Sequence, residues 1–298
     1  MKTRAKQSSI SSDVAEAKDH NNCVLIGLPK SGKSSFVAAL WHVVESQELE
    51  SSLVVTSLPQ DRTYLQDIRN KWLSCSKLER NKVDSFKNIS LVIEDKKTKA
   101  SVNFSFPDIS GEMFDLQFET RKISNELIKL LEGASGLMLF INPDKLKRPL
   151  LISAFSGLTG EEAKPAANLK SWVHKEAPTQ VVLVDILQMI YPELNKEVKI
   201  AVIVSAWDTI LNSMEADYNS LSPKGWILKE MPLLEQYLDS NSDLFNVKYY
   251  GVSAQGGDYT SQTDALHEKS LPSERIIVQE DENRSNDITA PIRWLINE

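Results

Sequence analysis

The chain has 298 residues, 41% hydrophobic and 25% charged, with a net charge of −7. That is enough for one large α/β domain with insertions. An acidic balance without a basic, aromatic-laced stripe argues against a nucleic-acid partner, and no apolar run reaches the ~18 residues of a membrane span. Residues 1–21, rich in Ser, Lys and Asp, read as a mobile tail. The start Met1-Lys2-Thr3-Arg4 is basic but lacks the apolar stretch of a signal peptide.

The first predicted strand, 22–26, carries Cys23-Val24-Leu25-Ile26. It runs into Gly27-Leu28-Pro29-Lys30-Ser31-Gly32-Lys33-Ser34, which fits G-x-x-x-x-G-K-[ST]. A predicted helix over 33–46 follows, with Phe36, Leu40 and Val43/Val44 on one face. Strand, glycine-bearing loop and helix in this order form the phosphate-holding P-loop of nucleotide-binding proteins. Backbone N–H groups of Gly27, Lys30, Ser31 and Gly32 would face the phosphates, with Ser35 close behind. Lys33 would reach the β and γ oxygens, and the Ser34 hydroxyl would ligate Mg²⁺.

The stretch 54–88 reads as an enlarged first switch. It contains Glu79-Arg80-Asn81-Lys82-Val83-Asp84-Ser85 but no threonine there to serve Mg²⁺ and the γ-phosphate. Ser85 is the nearest substitute and Thr63 a distant one. Arg80 reads either as an internal arginine finger or as a solvated surface arginine. A hairpin over about 89–95 and 101–107 follows, with Val102, Phe104 and Phe106 on one face. It ends in Phe106-Pro107-Asp108-Ile109-Ser110-Gly111-Glu112, which resembles the D-x-x-G signature of Ras-like GTPases. The resemblance makes Asp108 a Mg²⁺ residue, Gly111 a γ-phosphate contact, and Glu112 the water-orienting position. A carboxylate there can take a proton from water, but it also repels the γ-phosphate unless a cation screens it.

Farther on, a helix is predicted over 120–132 and a strand over 136–141, ended by Asn142-Pro143. An insertion over 145–197 carries a helix at 178–190. The strand 198–204 ends in Ser205-Ala206-Trp207-Asp208. This matches the guanine-reading [NT]-K-x-D motif only at Asp208, whose carboxylate can accept from guanine N1 and N2, donors that adenine lacks. Ser205 replaces the amide that braces the loop, and Ala206 removes the lysine stem that packs on the base. Trp207 either covers the base or plugs the core. A helix begins at Ser222-Pro223. Strand 245–252 leads into Ser253-Ala254-Gln255, similar to the S-A-K base loop with Gln for Lys. A last helix spans 288–297. Every motif sits at the carboxyl end of a strand, the edge where open α/β sheets bind ligands.

Gly27 to Phe36, Ala38-Ala39-Leu40-Trp41-His42-Val43-Val44 and Phe106 to Glu112 together resemble the bacterial double-GTPase family, Ras-like P-loop proteins associated with bacterial conflict and defence systems. The resemblance spans about 22–298. It implies a P-loop fold with a mostly parallel sheet, one antiparallel edge strand and helices on both faces. It also implies GTP/GDP and Mg²⁺ as cofactors, and a regulatory GTPase working with protein partners: a second GTPase, an activating protein or an effector. No internal repeat is present, so "double" refers to partner architecture. Two readings stand beside the switch: a nucleotide-binding scaffold with little hydrolysis, and an ATP-dependent P-loop enzyme. Cys23 and Cys75 are the two cysteines, and the four histidines are scattered, so a reduced, cytoplasmic chain without structural zinc is expected.

Overall fold

A computed structural model describes residues 21–50, 53–57, 62–78, 88–107, 111–149, 173–194 and 197–297, with backbone only for Asn21, Asn88, 111–115, Lys175 and Ala216. The apolar runs of the sequence have to be covered on both sides, and a central parallel sheet does that. Strands β1 (Asn21–Gly27), β2 (Leu53–Ser57), β3 (Asn88–Asp95), β4 (Ser101–Pro107), β5 (Ala134–Ile141), β6 (Val198–Ser205), β7 (Phe245–Ser253), β8 (Ile277–Glu280) and β9 (Asn283–Ser285) form one sheet in the order β2-β3-β4-β1-β5-β6-β7-β8-β9. The five central strands from β4 to β7 are parallel, with Val24 opposite Leu137 and Ile203 opposite Tyr250.

The sheet is mixed and mostly parallel at its centre, but its antiparallel part exceeds the single edge strand expected. β3 runs against β4 and β2 against β3 on one flank; β8 runs against β7 and β9 against β8 on the other. The second flank was hidden because β8 is four residues long and β9 three. Its turn is closed by Asp281 at φ +50°, not by a glycine.

Side chains alternate across the central strands, as a pleated strand requires. Leu25, Met138, Phe140, Ala201 and Ile203 face a core shared with α1 (Lys33–Ser46), α2 (Thr63–Leu73) and a C-terminal helix at Ala290–Asn297. Val24, Ile26, Leu137, Leu139, Val202 and Val204 face the other core, completed by helices at Asn125–Leu131, Thr179–Ile190, Pro223–Glu230 and Pro232–Ser240. Helices therefore cover both faces.

The helix expected over 120–132 starts later, at Asn125, and a separate helix precedes it. α3 (Gly111–Thr120) ends where Arg121 takes φ +55°. α4 (Asn125–Leu131) restarts behind Ser124, whose hydroxyl caps the Leu127 N–H at 3.2 Å. The remaining helices, in chain order, are α5 (Thr179–Ile190), α6 (Trp207–Leu211), α7 (Ala216–Asn219), α8 (Pro223–Glu230), α9 (Pro232–Ser240), α10 (Thr263–His267) and α11 (Ala290–Asn297). α8 starts as its sequence predicts, with Ser222 accepting from Gly225 N–H at 3.1 Å and proline in the first turn. α2 and β2 occupy part of the stretch assigned to the enlarged first switch. Cys23 and Cys75 are both buried free thiols. Among the described residues no helix is long and apolar enough to cross a membrane.

Candidate functional site

β1 delivers the chain to the carboxyl edge of the sheet at Gly27, and α1 starts six residues on, at Lys33. The turn between them uses backbone that side chains resist. Gly27 has φ +149° and Gly32 φ +93°. A Cβ on Gly27 would lie 2.6 Å from the Phe140 carbonyl oxygen, and one on Gly32 would lie 2.8 Å from Ser205 Cβ. Lys30 takes φ +60° as well, and the loop leads into the N-terminus of a 14-residue helix, an end that suits an anion.

The loop is tied from several sides. The Asn142 side-chain amide, just past β5, donates to the Lys30 carbonyl at 2.9 Å. The Lys33 ammonium donates to the carbonyls of Gly27 at 2.7 Å and Leu28 at 3.1 Å, and to Ser31 Oγ at 3.2 Å. Ser31 is buried, while Ser34 stands exposed on the first turn of α1. Half-buried Ser35 receives the Gln255 side-chain amide at 3.5 Å.

The second cluster lies at the ends of β6 and β7. Ala206 adopts φ +47°, which turns the chain sharply into α6. Asp208, in the first turn of α6, is only 9% exposed. Burial holds its carboxyl above the usual carboxylate range, reinforced by Asp144 and Asp258; hydrogen bonds from Ser253 and from its own backbone N–H pull the other way. Ser253 is itself buried, and its hydroxyl also accepts from the Gly256 N–H at 2.9 Å. Ser205 lies against Gly32, yet its buried hydroxyl finds no hydrogen-bond partner among the described residues. Serine at this position reaches the phosphate loop by contact but does not brace it by a hydrogen bond.

Trp207 takes the core position. It is fully buried, its indole N–H donates to Gln279 Oε1 at 2.9 Å, and its ring lies so close to β7 that a Cβ on Gly251 would sit 2.2 Å from it. An indole held there cannot lie over a base. Ala254 and Gln255 follow Ser253 in the loop after β7, with the Ala254 carbonyl accepting from Trp72 Nε1 at 2.7 Å.

Asp108 and the whole 79–87 stretch with Arg80 and Ser85 lie outside the described residues. Asp108 follows directly on Pro107, where β4 ends beside its parallel neighbour β1. Gly111 and Glu112 are the first two residues of α3. The structure thus brings Gly27, Lys30 to Ser35, Ser205, Asp208 and Ser253 to Gln255 to one edge of the sheet. Among the described residues no group of three His, Cys, Asp or Glu side chains is arranged around a common metal position. Sequence reasoning missed Asn142 and Trp72. An Asn-Pro step after an apolar strand hinted at the first, and nothing local could reveal the second.

With this geometry in place, comparison with known proteins is informative. The family model DO-GTPase1, described as Double-GTPase 1, matches residues 24–295. Curated proteins yield no match. Among solved structures, the chain is similar to the signal recognition particle receptor SRb-GTP/SRX complex from Chaetomium thermophilum, at 8% identity over 79% of this chain and 91% of that one, TM-score 0.38. It is similar to Methanosarcina barkeri Roco2 RocCORdC bound to GDP at 9% identity, covering 83% of this chain and 48% of that one, TM-score 0.35. It is similar to sup35 complexed with GDP at 14% identity, covering 84% and 41%, TM-score 0.30. These structural likenesses are slight.

Proposed function

The chain belongs to the Double-GTPase 1 family, and from that premise we propose that it binds GTP and GDP with Mg²⁺, hydrolyses GTP slowly, and serves as a regulatory switch in a bacterial conflict or defence system. The observation that carries this reading is the meeting of two half-sites: Gly32 of the phosphate loop touches Ser205, three positions before the buried Asp208. A nucleotide laid along that edge has its phosphates on the loop and its base at Asp208.

Each residue then has a role. N–H groups from Gly27 to Ser35 hold the phosphates, and Lys33 turns its ammonium to the β and γ oxygens. Asp208 accepts from the guanine N1 and N2 edge, held in place by Ser253 in the loop that continues through Ala254 and Gln255. The Ser34 hydroxyl, on the first turn of α1, and the Asp108 carboxylate are hard oxygen donors that would suit Mg²⁺, which when bound neutralises charge on the β- and γ-phosphates. Gly111 and Glu112, opening α3, orient the attacking water. A partner protein, whether a second GTPase, an activator or an effector, completes the positive charge on the γ-phosphate. Residues 22–298 act as one unit, with 1–21 as a tail and 54–88 and 145–197 as insertions.

One further reading has its own support. The absence of threonine from Glu79 to Ser85, with Ser205-Ala206 in the base motif, favours a scaffold that binds nucleotide without turning it over. Measuring GTP and ATP affinity with and without Mg²⁺, then phosphate release, decides between them. The expected result is tight, Mg²⁺-dependent GTP binding and turnover on the order of 10⁻⁴–10⁻³ s⁻¹, rising with a partner. Binding without turnover under all these conditions leaves the scaffold. Equal GTP and ATP affinity points instead to an ATP-dependent enzyme.

A further inference from the structure

α2 has no part in the phosphate or base motifs, yet its last turn is bolted to the base loop. Trp72 is almost fully buried, and its indole N–H reaches across 182 sequence positions to the Ala254 carbonyl at 2.7 Å. On one side the Trp72 ring carries the Arg275 guanidinium, whose central carbon is 3.9 Å from the ring centroid. Arg275 is itself only 3% exposed. Its side chain donates back to the Trp72 carbonyl and to Cys75 Sγ. A guanidinium is costly to bury, and this one is held by a ring face and a carbonyl, which ties it closely to Trp72.

The same pair backs the loop at a second point. Gly256 has φ +82°, and a Cβ there would lie 2.1 Å from the Arg275 carbonyl oxygen, so the loop backbone rests directly on Arg275. Between these two supports the loop has little freedom. A trans peptide with its carbonyl taken by Trp72 must send the Gln255 N–H the opposite way. One residue earlier, the Ser253 hydroxyl holds the Asp208 carboxylate. Any shift of Ala254 moves Ser253, and with it the acceptor that reads the base.

We propose that Trp72, braced by Arg275, is a positioning residue for guanine recognition: its indole N–H fixes the Ala254 carbonyl and so sets the geometry of Ser253 and Asp208. The proposal rests on the guanine-binding reading above. It assigns to an inserted helix a share in base specificity, which neither the phosphate motif nor the base motif contains.

The test is the ratio of GTP to ATP affinity, measured with fluorescent nucleotide analogues on the full chain. Trp72→Phe keeps an aromatic ring beside Arg275 and removes the indole N–H together with the smaller ring that carries it; the packing lost with that ring weakens both nucleotides alike, so the ratio isolates the hydrogen bond. The ratio should fall about three- to tenfold, the loss expected for one buried hydrogen bond between neutral groups. A purely structural role would lower the active fraction for both nucleotides equally and leave the ratio unchanged; that result overturns the proposal. Should Trp72→Phe fail to fold, Arg275→Lys removes the planar brace while keeping the charge, and the same narrowing is expected of it. An unchanged ratio in that variant also overturns the proposal. A parent chain that does not prefer GTP over ATP is a separate outcome, which removes the guanine reading itself and with it any preference for Trp72 to set.

Discussion

The two halves of the candidate site are built on opposite plans. At the phosphate end the shape comes from backbone: two glycines at positive φ, a lysine at φ +60°, and an ammonium resting on carbonyls of its own loop. At the base end the shape comes from buried side chains: Asp208 held by Ser253, Trp207 wedged under Gly251, Trp72 bonded to Ala254. On the proposed reading a phosphate takes the Lys33 ammonium from these carbonyl oxygens, and it can do so because it offers full charge. A base offers only neutral donors, so its acceptor has to be set in place beforehand. Charge can reorganise a site, whereas selectivity among neutral edges needs one already fixed.

The contrast can be broken most forcefully at the phosphate end. Lys33→Ala should abolish tight nucleotide binding while the far-ultraviolet circular dichroism stays that of the parent, because the charge serves the ligand and not the core. Unchanged GTP affinity in that variant ends the P-loop reading. At the base end the expected effect is smaller and more selective. Asp208→Asn should weaken GTP by about 1.5–3 kcal/mol, the range for hydrogen bonds to a charged group, and should narrow the preference over ATP in calorimetric titrations.

Acidity sharpens the comparison next. Burial raises the Asp208 carboxyl above its unfolded value, so the fold favours its protonated form. The stability that group contributes is present at low pH and lost as pH rises through its folded pKa. Guanine needs the ionised acceptor, so GTP affinity should fall as pH drops through that raised value. Over the same interval Asp208 itself does not lower the melting temperature of the protein. Asp208→Asn should remove this component of the affinity profile; a profile identical to the parent's would show that another group titrates. Smallest of all is Ser205→Ala. Its hydroxyl is buried without a partner among the described residues, so deleting it should leave the melting temperature equal or slightly higher and move GTP affinity by less than about twofold.

Much of this arrangement was legible in the sequence because it is local. Eight consecutive residues spell out the loop between β1 and α1, and the apolar runs ending at Ile141 and Val204 are short, the second rich in β-branched residues, as central strands are. Asp208 and Ser253 could be placed at the same edge because each follows soon after a predicted strand. What escaped was of two kinds. Short antiparallel strands such as β8 carry too few residues for a period to emerge. Contacts across the fold leave no local trace: nothing around Trp72 points to Ala254, and nothing around Arg275 points to Cys75, 200 positions earlier. The start of α4 was set five residues early because the apolar spacing of Ile123, Leu127 and Leu131 runs on across the Ser124 cap.

The fit of Trp207 against Gly251 reaches beyond this one chain. With less than a methyl group's room between the indole and the β7 backbone, Gly251 cannot gain a side chain while Trp207 keeps its ring. A homologue with any side chain at 251 is expected to carry a smaller residue at 207, and an alignment of relatives should display the two as a covarying couple. Because 207 is the immediate neighbour of Asp208, that couple would also mark which lineages keep the carboxylate proposed to read the base at the same depth and which have let it drift.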